Sequence, residues 1–440
     1  MNVLSSLLWV SLALSPSSKS SAVPVSDIKQ DLPKLQQLYF DFHRNPELSF
    51  REQKTAQRLA DELSQAGYEV TRNFGGHGVV GVLQNGKGPT VLIRADLDAL
   101  PIREQTGLSY ASKVEAVDID GKSKPVMHAC GHDVHMTVLV GTARRLAAQR
   151  EQWSGTLVLI GQPAEERGGG AKAMLEAGLF KKFPRPDFNL ALHVSPTLPA
   201  GTVGYTSGPA QATVDSMDIE VYGIGGHGAY PHTTKDPIVL SAQIINALQT
   251  VVSREINPLE PAVVTVGSIH GGHKHNIISD KVTMQLTLRS YSMEVRNHMI
   301  AAINRQVKNL GKAAGLPKQR LPKVSLNDVF VPVTTNNPAL TARMVGVFQR
   351  VLGSKKVVEQ PPVMGGEDFS RYGLEVPNIP SLMFRLGTVN PRKYKQHIRS
   401  KKPFPSLHTP FYTPDVIPTL RTGVQAMTAA ALELLQQNKP

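Results

Sequence analysis

Two short runs of consecutive apolar residues most limit the folds open to this chain. Residues 156–161 are TLVLIG and residues 188–194 are FNLALHV. Runs of this length, without alternation, are typical of strands buried on both faces of a sheet. Helical patterns lie around them, for example at 137–149 and 172–177. This alternation predicts an α/β fold, in which helices cover both faces of a parallel or mixed sheet.

A different order of elements begins near residue 212. The pattern predicts a strand at 216–222, a helix at 236–253, strands at 262–269 and 281–291, a helix at 292–314 and a strand at 323–330. The order βαββαβ resembles the ferredoxin-like motif. We therefore expect a catalytic α/β domain in two parts, 23–212 and 326–440, interrupted by an inserted α+β domain at 213–325.

The N-terminus carries an apolar run at residues 3–14, followed by small residues at 15–22. The run is shorter than the about 20 apolar residues that a membrane-spanning helix needs. The pattern resembles a signal peptide over residues 1–22. It predicts an exported protein, periplasmic or secreted, and the alternative is a cytoplasmic protein whose apolar run is no signal. No later segment predicts a membrane span.

The chain is basic, with 48 Lys and Arg against 35 Asp and Glu, a net charge of +13. The lysine pairs at 181–182, 355–356 and 401–402 are scattered, and no nucleic-acid-binding motif accompanies them. A solvated basic surface is therefore favoured over a nucleic-acid site, and steering of anionic small molecules remains a second interpretation. The single cysteine, Cys130, excludes an internal disulfide framework.

Five short stretches carry acids, imidazoles and the cysteine. They are 94–98 (RADLD), 130–135 (CGHDVH), 163–166 (PAEE), His193 and His408. Each stretch alone is a weak indication, because a strand-end acid is often solvated and a lone histidine is often a core residue. Active sites of open α/β sheets lie outside the carboxyl ends of the strands. We therefore expect one edge of the sheet to gather Asp98, Glu165, Glu166 and His193.

These residue types suggest a metal site. Thiolate, imidazole and carboxylate together suit zinc, and the last two also suit manganese or cobalt. Five candidate ligands exceed what one tetrahedral ion takes, so two ions about 3.5–4 Å apart are predicted, bridged by a thiolate or a water. The five are Cys130, His132, Glu166, His193 and His408. Of the adjacent glutamates, we assign Glu166 to the metals and Glu165 to proton transfer from water.

Residues 223–228 (GIGGHG) match the spacing of a dinucleotide-binding loop. That motif must open into a helix. Pro231 follows too closely for an uninterrupted helix. The glycines are more typical of a tight loop that presents His227, and a surface turn histidine is the alternative.

Nine stretches together resemble the peptidase M20 family, and within it the amidohydrolase branch of hippurate hydrolases, N-acyl-amino-acid amidohydrolases and auxin-conjugate hydrolases. They follow the family order through nearly the whole chain after the N-terminus. They are HRNPELSF (43–50), RADLDALPI (94–102), MHACGHDVHM (127–136), QPAEERGGGA (162–171), ALHV (191–194), GGHGAYPH (225–232), HNIISD (275–280), MGGEDFS (364–370) and LHTPFY (407–412).

The resemblance implies a dinuclear-metal catalytic domain with an inserted lid or dimerisation domain. It implies that two divalent ions, zinc or manganese with cobalt or nickel as alternatives, are held by the five candidate ligands. It also implies that Glu165 is the general base and that Asp98 supports the metal site.

The resemblance also implies roles for three residues of the inserted domain. In relatives of this type, His227 and Asn276 polarise the scissile carbonyl, often across a homodimer. Arg289 is a candidate for the substrate carboxylate, since an Arg fork binds carboxylates, and a structural ion pair is an equal alternative. The segment 389–406 is unusually basic for the branch, and Asp415 stands where the family commonly carries an acidic pair.

The predicted activity is metal-dependent hydrolysis of the amide bond of a small-molecule N-acyl amino acid or related conjugate. Dipeptidase or carboxypeptidase action on small peptides is one alternative, because the site chemistry would be the same. A non-catalytic binding protein of the same fold is another.

Overall fold

The computed structural model describes residues 28–327, 330–404 and 406–436. The predicted signal peptide over residues 1–22 lies outside the described residues. Among the helices that are described, none is both long enough and apolar enough to cross a membrane.

The chain before the predicted insertion supplies most strands of a large sheet. Its elements are α1 (Leu32–Arg44), α2 (Gln53–Gln65), β1 (Glu69–Thr71), β2 (Val79–Asn85), β3 (Thr90–Asp96), β4 (Glu115–Val117), β5 (Ser123–Pro125), α3 (His132–Ala148), β6 (Gly155–Gln162), α4 (Gly170–Glu176), α5 (Leu179–Lys182), β7 (Phe188–Pro199), β8 (Val203–Tyr205) and β9 (Gly208–Gln211).

The remaining elements belong to a second sheet and then return to the first. The second group is β10 (Asp215–Tyr222), β11 (Gly226–His227), α6 (Pro237–Thr250), β12 (Ala262–Gly271), β13 (Ile277–Ile278), β14 (Lys281–Ser290), α7 (Met293–Ala313) and β15 (Lys323–Leu326). The last group is β16 (Thr334–Asn336), α8 (Pro338–Leu352), β17 (Val357–Glu359), α9 (Ser370–Gly373), β18 (Ser381–Val389), α10 (Pro391–Ser400) and α11 (Val416–Leu435).

The large sheet has eight strands in the order β1-β2-β6-β3-β7-β18-β8-β17. Its centre is parallel, from β6 through β3 and β7 to β18, while β2 and β8 pair with it antiparallel. Successive residues of β6 point to opposite faces. Leu157 and Leu159 therefore join the core under α1, α3 and α11, and Val158 and Ile160 join the core under α4 and α9. The predicted α/β fold with a mixed sheet is confirmed.

The smaller sheet has four antiparallel strands in the order β12-β14-β10-β15. This is the ferredoxin-like order, and α6 and α7 pack on the sheet around a core of their own. These elements run from Asp215 to Leu326, one residue beyond the predicted range 213–325. We call residues 213–325 the inserted unit.

Several predicted element boundaries are wrong. Helix α3 begins at His132 rather than 137, because Gly131 turns the chain with a positive φ of 80°. Strand β15 ends at Leu326 rather than 330. His193 lies inside β7 rather than at its end, since β7 loses β3 as a neighbour after Ala191 but continues along β18.

Candidate metal centre

The five predicted ligands lie together at one edge of the large sheet. Cys130 Sγ is 3.5 Å from His193 Nε2 and 3.3 Å from His408 Nε2. Glu166 Oε1 is 3.4 Å from His408 Nε2 and 3.9 Å from His132 Nε2. Residues from four separate stretches of chain therefore meet at one position.

The donor atoms form two triads that share the thiol. One triad is Cys130, His132 and His193, and the other is Cys130, Glu166 and His408. Within each triad the donor atoms lie within 4.8 Å of one another. Two triads with one common sulfur fit two neighbouring cations bridged by a thiolate.

The imidazoles are oriented by backbone carbonyls. His132 Nδ1 is 2.8 Å from the Asp98 carbonyl oxygen, and His193 Nδ1 is 2.8 Å from that of Val194. When each Nδ1–H donates to its carbonyl, the Nε2 lone pair faces the cluster, as in metal-bound histidines. His132 Nε2 and Glu166 Oε1 are buried without a hydrogen-bond partner. These two unpaired acceptors fit a bound cation.

Three of the site segments pass through left-handed backbone. Ala164 has φ 50°, Gly131 has φ 80° and His408 has φ 60°. At position 131 a Cβ would also lie only 2.7 Å from Val194 Cγ2, so glycine is required there. Strained residues of this kind persist where the surrounding structure determines them, which is common at functional sites.

Asp98 holds the two glutamates in place. Its carboxylate accepts hydrogen bonds from the backbone N–H groups of Glu165 (3.1 Å) and Glu166 (3.0 Å) and from Ser49 Oγ (2.6 Å). Burial acts to raise the pKa of Asp98, but the contact with His132 and the hydrogen bond from Ser49 lower it on balance. Asp98 therefore serves as an acceptor for the loop that carries Glu165 and Glu166.

Asp96 and His135 are buried behind this site, and the sequence alone assigns them no role. Asp96 Oδ1 accepts from His135 Nδ1 at 2.6 Å, and His135 Nε2 accepts from the backbone N–H of Val194 at 3.0 Å. Both ring nitrogens of His135 are therefore used, which makes it a support rather than a ligand. The RAD and CGHDVH stretches contain both residues, but their spacing alone does not separate ligand from support.

A buried arginine network lies on the other side of Asp96. Arg94 Nη1 is 2.6 Å from Asp96, and Nη2 is 2.9 Å from Glu367 and 3.2 Å from Asp368. Gln162 Nε2 donates to Asp368 at 2.6 Å. The GGED stretch before α9, assigned no role from sequence, therefore packs against the metal-site strand β3.

The site carries more negative than positive charge. Six carboxylates are buried or nearly so around it: Asp96, Asp98, Glu165, Glu166, Glu367 and Asp368. Burial, with Glu367 and Glu166, raises the pKa of Glu165 well above its usual value, and burial with Glu166 and Glu165 does the same to the Cys130 thiol. Divalent cations in the two triads would offset this repulsion, so the donor set fits them.

The structure does not bring the inserted-unit candidates into this cluster. His227 and Asn276 are exposed; His227 lies on β11, and Asn276 directly precedes β13, where its carbonyl accepts from the Gly228 N–H at 2.8 Å. Arg289 on β14 is half-buried. In the described part of the chain, no hydrogen bond or ion pair joins any of the three to the five predicted ligands.

The basic segment contains α10, which contacts β7. In the described part of 389–406, none of its lysines or arginines has a carboxylate within 4.0 Å. Tyr394 stacks on Phe404 with ring centroids 5.4 Å apart. Asp415 accepts from Asn390 Nδ2 at 2.7 Å and so ties the start of this segment to that of α11.

The sequence profile of peptidase family M20/M25/M40 matches residues 92–433. The chain is 38% identical over 377 residues to thermostable carboxypeptidase 2 of Saccharolobus solfataricus, covering 84% of this chain and 90% of that one. It is 40% identical over 333 residues to hippurate hydrolase of Campylobacter jejuni, covering 75% and 82%.

A solved structure extends the likeness to three dimensions. The Bacillus subtilis YXEP protein, described as a dinuclear metal-binding peptidase, superposes with a TM-score of 0.75 and 30% identity. The match covers 92% of this chain and 99% of that one. Both units of the present fold are therefore included in the likeness.

Proposed function

The chain belongs to peptidase family M20/M25/M40 and is a metal-dependent hydrolase, and we propose that it cleaves the amide bond of N-acyl amino acids. One observation carries the proposal. Two ligand triads share the Cys130 thiol, while Glu165, on the same loop as Glu166, belongs to neither thiol triad. The resemblance to hippurate hydrolase supports the substrate class.

We assign Cys130, His132, Glu166, His193 and His408 to two divalent ions, zinc or manganese, with cobalt or nickel as alternatives. Bound there, the ions would polarise the scissile carbonyl and acidify the attacking water. The Glu165 carboxylate accepts a proton from that water and returns it to the leaving nitrogen. Asp98 keeps the backbone of Glu165 in position for both transfers.

His227 and Asn276 are proposed to donate hydrogen bonds to the carbonyl oxygen as negative charge develops there. Both are exposed on the inserted unit, so they need the substrate, a domain movement or a second copy to reach the cluster. A homodimer formed through the inserted unit would supply that second copy. Exposed Ile238 and Val239 on α6 and Ile269 on β12 support an interface there, and sedimentation of the purified protein would test it.

The activity is tested with metal-stripped protein reloaded with zinc or manganese. We expect hippurate and N-acetyl amino acids to be hydrolysed faster than dipeptides, and about two ions to be retained per chain. Faster cleavage of dipeptides would favour the second candidate, a carboxypeptidase or dipeptidase, which the carboxypeptidase relatives support. Loaded protein that hydrolyses neither class would indicate a binding protein.

Export is proposed on the apolar run at residues 3–14 and the small residues that follow it. Mass determination of the protein recovered from its native host tests this. A mature N-terminus near residue 23 is expected, and an intact Met1 would refute export.

A further inference from the structure

Arg385 lies beside the metal cluster and has no role in the proposed chemistry. It stands on β18 in register with His193 of the parallel neighbour β7. Residues paired in this way project from the same face of the sheet. Since His193 Nε2 lies 3.5 Å from Cys130 Sγ, Arg385 projects on the side of the ligands.

The guanidinium of Arg385 lacks an acidic partner. Among the described residues, no carboxylate lies within 4.0 Å of it. Its strongest electrostatic neighbours are Glu367 and Cys130, and Glu367 is already paired with Arg94 at 2.9 Å. Arg385 is half-buried, and partial desolvation lowers its pKa. A half-buried charge without an acidic partner is destabilising, so an anion bound beside this guanidinium would be stabilised.

One hydrogen bond orients the Arg385 side chain. With the Gln211 amide turned so that both of its atoms are satisfied, its oxygen accepts from Arg385 Nη2 at 3.1 Å. Its nitrogen then donates to the Gly366 carbonyl at 3.2 Å. The remaining N–H groups of Arg385 stay available for a ligand.

A second guanidinium approaches the same loop from the inserted unit. Arg289 Nη1 lies 3.5 Å from the position that a Cβ on Gly366 would occupy. The nearby acid, Asp215, is engaged by Arg296 Nη2 at 2.6 Å and Nε at 2.8 Å. In the part of the chain that the structure describes, neither arginine has a carboxylate within 4.0 Å. Arg289 approaches Gly366 directly, and Arg385 is linked to Gly366 through Gln211.

We propose that Arg385, oriented by Gln211, binds the carboxylate of the substrate's amino-acid part. A forked Arg–carboxylate pair would supply the anion that this position lacks, and it would fix the direction in which the substrate enters. The identity of the substrate rests on the proposed function, whereas the anion site rests on the contacts of Arg385. The consequence is selection of free acids over the corresponding amides.

The test uses ligands that the enzyme cannot hydrolyse. N-benzylglycine carries the carboxylate of an acylglycine but no N-acyl carbonyl, and N-benzylglycinamide replaces that carboxylate with an uncharged carboxamide; both are titrated at one pH above the amine pKa values, where neither amine is protonated. Calorimetric titration into metal-loaded protein should show about 10–100-fold tighter binding of the acid, the range expected for hydrogen bonds to a charged group. Arg385→Gln should remove that preference and leave the affinity for the amide unchanged.

Two further variants separate this role from a structural one. Arg385→Lys keeps the charge but not the fork, so an intermediate preference is expected. Arg343→Gln, which removes an exposed arginine paired with Glu433, should change nothing. Metal content and thermal unfolding are measured for each variant.

The proposal is overturned if the wild type binds both ligands equally. It is also overturned if Arg385→Gln weakens the binding of both ligands alike. It is overturned as well if Arg385→Gln leaves the preference for the acid intact, for example because Arg289→Gln alone abolishes that preference. Failure of the proposed function would look different. The wild type would then prefer the acid in titrations but hydrolyse no N-acyl amino acid.

Discussion

The metal cluster and the His227 loop differ in how firmly the protein fixes their functional groups. His132 and His193 are 0% and 7% exposed, and a backbone carbonyl orients each ring. His227 is exposed, and its Nδ1 accepts a hydrogen bond from the nearby Ala229 N–H at 3.0 Å. The candidate ligands are therefore held in place by residues outside the inserted unit. The groups proposed to polarise the carbonyl are delivered from another surface.

The largest effect is expected within the buried region, from Glu165→Gln. The amide cannot accept the proton, so kcat should fall about 10³-fold while both metal ions remain bound. Steady-state kinetics and metal analysis measure the two quantities. Glu176→Gln, a change of an exposed glutamate paired with Lys172, is the matched control. Unchanged turnover in Glu165→Gln would remove this residue from the mechanism.

The second effect concerns the stability of the buried region. His43 lies between two carboxylates, with Nδ1 2.6 Å from Asp133 and Nε2 3.2 Å from Glu104, and Tyr39 and Tyr110 enclose the ring. Although burial opposes the charge, these carboxylates raise the pKa of His43 to about 9. Its charge should therefore stabilise the fold fully below pH 6.5 and lose that contribution as the pH rises through about 9.

The pH dependence is measured as the free energy of unfolding of the wild type minus that of His43→Gln. This difference should shrink by at most about 3 kcal/mol between pH 6 and pH 10. His298→Gln, a change of an exposed histidine near Glu255, should show no such dependence. A difference that is constant with pH would mean that His43 is neutral in the fold.

The third effect is a loss of turnover expected from the exposed loop that carries His227. His227→Ala should lower kcat about 10²-fold through lost stabilisation of the carbonyl oxygen, without changing metal affinity or thermal unfolding. His232→Ala, on the same exposed loop, should have little effect. A loss of metal in His227→Ala would contradict the separation of the two regions.

The smallest effect is expected from a change at Asp98, which contacts the candidate ligands from behind. Asp98→Asn replaces an acceptor of three hydrogen bonds and should weaken metal affinity about 10–100-fold, as outer partners of metal sites do. Asp118→Asn tests a buried aspartate that only closes the β4–β5 turn. Equal metal affinity in the two variants would show that Asp98 does not support the site.

Much of this arrangement is predictable because parallel strands end at one edge. The runs TLVLIG and FNLALHV correctly predict β6 and β7, and the pattern from 216 to 330 predicts the ferredoxin-like order. The same argument places Asp98, Glu165 and Glu166 near one another without knowledge of the side chains. His193 joins them for a different reason, since β7 extends past its pairing with β3.

The supporting groups could not be predicted in the same way. Arg94 meets Asp368 across 274 residues of chain and also contacts the adjacent Glu367, and no local pattern encodes such a pairing. The role of Arg385 could not be predicted either, because the sequence of an apolar strand does not reveal whether an acid faces the one charged residue in it. Three-dimensional packing decides which charges are paired and which remain open to a ligand.

The left-handed residues in the site segments bear on whether the chain folds before it binds ions. Ala164 and His408 adopt conformations that an isolated peptide avoids, and Cys130 meets His408 across 278 residues of chain. The complete set of candidate ligands is therefore assembled only when the large sheet has formed, and we expect the ions to be bound after that step. Ions that bind only the finished fold then stabilise it by mass action. Chelation should accordingly yield a less stable but folded protein that regains its ions on simple addition.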